Sequence, residues 1–168
     1  LRRRLTPPVE GPWYRAARPE EAAPWPESLA VALALWAGHG GLDVDWLPAA
    51  AASLARLTHG DPGDVAGACL AALAAREVGA GGSPAKALAR VPEWRPVARR
   101  WGGDEPSPRV ARAIESAAAH PGDGAAARAE AEARGASPLL AGGLAGLAAT
   151  AWDEAAEPRL ASLARRLG

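Results

Sequence analysis

Apolar residues recur along the chain at helical spacing, and glycine and proline residues separate the apolar segments. The run over residues 27–37 is apolar on almost every face, as expected of a central helix. The next segment predicts a helix that ends near Thr58, with Asp43 or Asp45 as its N-terminal cap. The predicted core stripe of this helix contains Leu47, Leu54 and Leu57.

Four further helices are predicted to begin at a proline that follows a capping residue. A serine or aspartate side chain can accept a hydrogen bond from the first turn, and proline is favoured at the first helical position. We expect the first of these helices to run to about Val78, and the second to be broken near Pro92 and Pro96. The capping pairs are Asp61-Pro62, Ser83-Pro84, Ser107-Pro108 and Ser137-Pro138.

The remaining pattern completes an all-α chain. Residues 123–134 predict an exposed helix, residues 137–152 a buried one, and residues 159–167 a short terminal one. The apolar stretch at 137–152 is shorter than the roughly 18 to 20 residues needed to span a bilayer. We therefore expect a compact bundle of about eight helices over residues 27–168, preceded by a proline-rich N-terminal arm over residues 1–26.

Composition indicates how this bundle is packed. Of the 168 residues, 49% are hydrophobic, yet the chain has no Phe and no Met. Its core must therefore consist of Ala, Leu, Val and some of the seven Trp. Alanine has the highest helix propensity and takes little space, so such a core favours closely packed helices. We expect Trp36, Trp46 and Trp152 to belong to it.

Charge and cysteine content limit the classes of partner and compartment. The chain has 19 basic and 19 acidic residues, and this zero formal charge does not favour nucleic acid or an anionic membrane as partner. The single Cys69 cannot form an internal disulfide, and no signal peptide is visible. We expect a cytoplasmic protein in which Cys69 is a buried, inert thiol, with a nucleophilic role as the less favoured alternative.

Two segments carry a family resemblance. A buried helix at 27–36 is followed by a second helix, then by the turn Thr58-His59-Gly60-Asp61-Pro62 and an Ala-rich helix. This order resembles the ADP-ribosylglycohydrolase family. Residues 140–147 are similar to the last buried helix of that family. The resemblance implies an all-α fold and hydrolysis of a glycosidic bond in ADP-ribosylated substrates at a pair of Mg²⁺ ions.

The motifs that hold the metal ions in that family have no counterpart here. Its Gly-Asp-Ala-Leu-Gly helix and Ser-Asp-Asp-Thr motif are missing. Residues 133–139 read Ala-Arg-Gly-Ala-Ser-Pro-Leu where the family has Gly-Gly-Asp-Thr-Asp-Thr. Mg²⁺ requires such oxygen ligands. We expect a truncated or degenerate member without a cofactor, catalytically inactive and retaining nucleotide or protein binding, with Mg²⁺ only if ligands come from elsewhere. An active hydrolase with relocated ligands is an alternative.

The turn at 58–62 could in principle carry chemistry of its own. Thr58, His59 and Asp61 form a trio that could shuttle a proton. We favour a structural role, in which Thr58 and His59 end one helix while Asp61 caps the next and Pro62 fixes its first turn. The resemblance assigns no metal ligand to this turn, and no His, Cys, Asp and Glu cluster has metal-binding spacing.

A second candidate site is a face rich in tryptophan and arginine. Trp94, Arg95, Arg99 and Trp101 lie at helical spacing and predict an interface for an unidentified protein partner. Ordinary packing of tryptophan under arginine stems is the alternative. A helical interaction module that uses this face is therefore the second hypothesis for function.

Overall fold

The computed structural model of the protein describes residue 31 and residues 46–148. Within these residues all regular secondary structure is helical, without a strand, which confirms the all-α prediction. The expected arm at 1–26, most of the helix at 27–37 and the helix at 159–167 lie outside them. The six helices of the described part are α1 (Leu47–Ala55), α2 (Pro62–Gly79), α3 (Pro84–Gly102), α4 (Pro108–Ala119), α5 (Gly124–Ala133) and α6 (Pro138–Leu147).

Helix α2 lies at the centre of the described structure. It packs against α1, α3, α4 and α6, while α4, α5 and α6 also contact one another. Its buried residues are mostly small, which lets the neighbouring helices approach closely. Larger side chains complete the core and are almost fully excluded from solvent: Leu47, Leu70, Ile114 and Leu144. The expected core of alanine and branched aliphatic residues is thus confirmed. Trp46, also expected in the core, is only partly buried, and Trp36 and Trp152 lie outside the described residues.

The capping pairs start helices as predicted. A helix begins at the proline of each pair, and three of the four capping side chains accept a hydrogen bond from the first turn. Ser107 is the exception, since its hydroxyl makes no capping bond. The three bonds join Asp61 Oδ1 to the Asp64 N–H (2.9 Å), Ser83 Oγ to the Lys86 N–H (3.2 Å) and Ser137 Oγ to the Leu140 N–H (3.4 Å).

The predicted break in the second of these helices is wrong. Helix α3 is continuous through Pro92 and Pro96. Each interior proline removes one helical hydrogen bond. Both prolines lie on the exposed side of α3, where water can bond the carbonyls left without a partner. The buried residues Val91, Trp94 and Ala98 hold the opposite face of the helix in the core.

Three predicted details of the outer helices also need correction. Helix α1 ends at Ala55, before Thr58, and Leu57 of its predicted core stripe is 43% exposed. Helix α5, predicted to be exposed, buries Ala127 and Ala131 because α4 and α6 pack against it. Trp46 occupies the N-cap of α1 without a side-chain bond, while Asp43 and Asp45 lie outside the described residues.

Helix α6 differs from its prediction in burial. It was expected to be a wholly buried helix over residues 137–152, of which 149–152 lie outside the described range. Only one face of the observed helix is buried, formed by Leu140, Ala141, Leu144 and Ala145. Leu139 and Leu147 on the other side are 50% and 37% exposed. Within residues 46–148, no side chain covers this apolar face.

Candidate functional site

The turn at 58–62 joins α1 to α2 and encloses an imidazole. The His59 N–H donates to the Ala55 carbonyl (2.8 Å), which brings the side chain back over the end of α1. Thr58 Oγ1 lies 2.7 Å from His59 Nδ1, and their donor and acceptor roles depend on the tautomer. His59 is only 1% exposed. Its ring is therefore part of the interior, shielded from a substrate in solvent.

Asp61 is in a different environment from the buried Thr58–His59 pair. Its carboxylate is exposed and accepts the Asp64 N–H, and Pro62 occupies the first turn that follows. The predicted capping role of Asp61 is thus confirmed. The structure brings Thr58 and His59 into hydrogen-bond contact, whereas Asp61 is engaged by the N-terminus of α2.

We expect Asp61→Ala to lower the free energy of unfolding by about 0.5–2 kcal/mol, the usual effect of removing an N-cap side chain. Chemical denaturation followed by circular dichroism measures the change. Ser107→Ala is the matched control, since Ser107 holds the same position on α4 without a capping bond and should cost less. Equal losses of unfolding free energy in the two variants would argue against the capping role. A variant Asp61→Ala that loses ligand binding at unchanged stability would also argue against it.

The two tryptophans of the predicted interface lie in different environments. Trp94 is 7% exposed and packs in the core, with the Arg90 guanidinium 5.0 Å from its ring centroid. Trp101 is 38% exposed, and Arg100 lies 5.7 Å from its ring centroid. Ordinary packing under an arginine stem therefore describes Trp94. Only Trp101 presents its ring to a partner.

An open basic depression of about 750 Å³ lies beside the C-terminal half of α3. Arg95, Arg99 and Arg100 line it together with the two interior prolines of the helix. Arg99 Nη1 pairs with Glu105 Oε1 at 3.2 Å. Within the described part of the chain, no carboxylate pairs with Arg95 or Arg100. The depression therefore offers two uncompensated guanidinium groups to an anionic group.

The junction between α5 and α6 contains the segment 133–139. Gly135 has a φ of 61°, a left-handed conformation that suits glycine at a helix end. Ser137 is fully buried and caps α6, while the Arg134 guanidinium donates to Glu115 and Glu130. The polar side chains of this junction are thus occupied in joining helices.

The ion pairs at this junction form a cluster that the sequence analysis missed. His120 Nε2 lies 2.6 Å from Glu130 Oε2, and Arg134 Nη1 lies 3.1 Å from Glu130 Oε1. The hydrogen bond with His120 has the largest effect on Glu130 and lowers the pKa of its carboxyl group. The hydrogen bond with Arg134 lowers this pKa further. These side chains are each about one-third exposed, so the cluster ties α4 to α5 at the surface. Glu130 and Arg134 lie four residues apart, a spacing that allows such a pair to be found from the sequence. The contact with His120 has no signal in the spacing, because the helical hairpin brings that residue to Glu130.

The remaining candidates are the single cysteine and the side chains that could bind a metal ion. Cys69 is fully buried, and burial raises the pKa of its thiol to about 11 against the opposing charge of Arg56. The thiol donates to the Pro48 carbonyl (3.2 Å) and stays protonated at neutral pH, in agreement with the predicted inert role. Among the residues that the structure describes, no three His, Cys, Asp or Glu side chains are placed to share a metal ion.

Comparisons with known proteins found no relative of this chain. No protein-family model matches the chain, and comparison with curated proteins and with solved structures finds no match. None of the helices in the described ranges combines the length and hydropathy needed to cross a membrane.

Proposed function

We propose that this chain is a non-hydrolytic binding protein derived from the ADP-ribosylglycohydrolase family. The observation that carries the proposal is the α5–α6 junction. Its residues 133–139 contain no carboxylate, Ser137 is buried as a helix cap, and Arg134 is held by two glutamates. A magnesium pair needs carboxylate oxygens that this segment does not supply.

The turn at 58–62 supports the same reading. Its residues resemble the family turn, and here His59 is enclosed with Thr58 while Asp61 caps α2. A buried imidazole and a capping carboxylate stabilise the helix junction. The family frame is proposed to persist as a scaffold that binds a nucleotide or protein in the cytoplasm without cleaving it.

Calorimetric titration with ADP-ribose, with and without Mg²⁺, tests this proposal, together with an assay for release of ADP-ribose from an ADP-ribosylated protein. We expect no release, and an affinity for ADP-ribose that Mg²⁺ does not increase. Release of ADP-ribose that depends on Mg²⁺ would contradict the proposal. That result would favour the active hydrolase with relocated ligands.

A helical interaction module is the second candidate function, favoured by the exposed ring of Trp101 beside the basic depression. Arg95 and Arg100 have no carboxylate partner in the described part of the chain, so a partner surface rich in Asp and Glu is complementary to them. A hot spot of this kind combines an aromatic ring with arginine.

Binding of an acidic peptide, measured by fluorescence anisotropy over a salt series, distinguishes this candidate from the first. Arg100→Ala should weaken binding and reduce its salt dependence. Arg112→Ala is the matched control, because Arg112 is an exposed arginine on α4 outside the depression. Equal effects of the two substitutions would count against a site at this face.

A further inference from the structure

Helix α6 has an apolar face that no described residue covers. Its ten residues include no polar side chain. A helix that is hydrophobic all round is normally buried all round. Leu139, Gly143 and Leu147 follow one another at intervals of four residues, which places them on one side of the helix, and all three are exposed.

The glycines of α6 point to a close neighbour on this side. A Cβ at Gly142 would lie 3.0 Å from the Gly124 carbonyl oxygen. The close approach of α5 therefore accounts for a glycine at position 142. A Cβ at Gly143 or Gly146 would meet nothing within 4 Å. Glycine in a helix interior makes the helix less stable than alanine does. Neither Gly143 nor Gly146 has a positive φ that would require glycine. Their small size instead suits the close approach of another backbone.

The neighbouring edge of α5 has opposite charges beside the same surface. A shallow groove of about 610 Å³ between α5 and α6 is lined by Arg128 and Glu132 as well as by Leu139 and Gly143. Arg128 and Glu132 are exposed and lie four residues apart, yet neither makes an ion pair with another described residue. One basic and one acidic group on a single patch are self-complementary under two-fold symmetry.

We propose that the exposed face of α6 and the adjoining edge of α5 bind a second copy of this chain in a two-fold symmetric pair. The leucines of one copy lie over the glycines of the other, and Arg128 of each copy pairs with Glu132 of its partner. A different protein would have to supply both charges in matching places, whereas a second copy supplies them by symmetry.

Sedimentation velocity of the full chain over a series of concentrations tests the proposal. We expect a monomer–dimer equilibrium that Gly143→Leu abolishes, because the larger side chain fills the space for the partner backbone. Arg128→Glu should raise the dimer Kd by about tenfold or more, since symmetry repeats the like-charge contact. Arg128→Glu combined with Glu132→Arg should restore it. Arg112→Glu on α4 is the matched charge-reversal control and should leave the Kd unchanged.

Two results would overturn the inference. One is a chain that stays monomeric at every concentration; a loss of thermal stability in Gly143→Leu would then identify another segment of the same chain as the occupant. The other is a dimer whose Kd is the same in the wild-type chain, Gly143→Leu and Arg128→Glu. Circular dichroism of each variant establishes that its helices are retained.

Discussion

Replacing Trp94 with alanine is expected to lower the free energy of unfolding by about 3–5 kcal/mol, the usual effect of deleting a large aromatic side chain from a core. The ring is 7% exposed and lies on the inner side of α3, between the buried residues Val91 and Ala98. Its removal leaves a cavity that the surrounding alanines cannot fill. Chemical denaturation followed by circular dichroism measures the change without relying on tryptophan fluorescence.

Trp101→Ala is the matched control for this experiment. Its ring is 38% exposed at the end of the same helix, so we expect a loss of about 1 kcal/mol. The substitution should instead weaken the binding of any partner that occupies the basic depression. Similar losses of stability in the two variants would contradict the placement of Trp94 in the core and Trp101 at the surface.

The second large effect is expected for Gly102→Ala, which should destabilise the protein by about 3 kcal/mol, at the upper end of the usual cost of overpacking. A Cβ at this position would overlap the nitrogen, Cα and Cβ of Ala66. Backbone atoms of a central helix cannot turn aside as a flexible side chain can. The C-terminal end of α3 would therefore have to move away from α2.

Gly143→Ala separates this clash from the general effect of adding a methyl group. It is also a helical glycine, but a Cβ there meets nothing within 4 Å. At concentrations where the chain is monomeric, we expect it to stabilise the protein by about 0.5–1 kcal/mol. Denaturation midpoints of the two variants, measured side by side, test the comparison. A neutral Gly102→Ala would mean that α3 and α2 are less closely packed than the structure indicates.

Local sequence chemistry predicted where most helices of the described part begin. A capping side chain followed by proline acts within a single turn, so Asp61-Pro62 and Ser137-Pro138 could be read without knowledge of the fold. The abundance of alanine likewise predicted an all-α core of small side chains, with Cys69 inside it. The family resemblance stays a proposal, because no comparison with known proteins tests it.

Tertiary packing decided which faces of those helices are covered. Helical spacing placed Trp94 and Trp101 in one candidate interface, but α3 buries the first and exposes the second. Pro92 and Pro96 did not break α3, because its inner face is held by its neighbours while the prolines face solvent. The pairing of His120 with Glu130 joins two helices and has no local pattern.

The sequence by itself thus determined the helical class, the capped starts and the small-residue core, since each depends on propensities and bonds within a few residues. The structure alone decided the exposed side of α6, the basic depression and the enclosure of His59. Those features depend on which distant helix packs against each face. A pattern of apolar residues identifies a surface that prefers to be buried, and only the assembled fold determines whether a neighbour covers it.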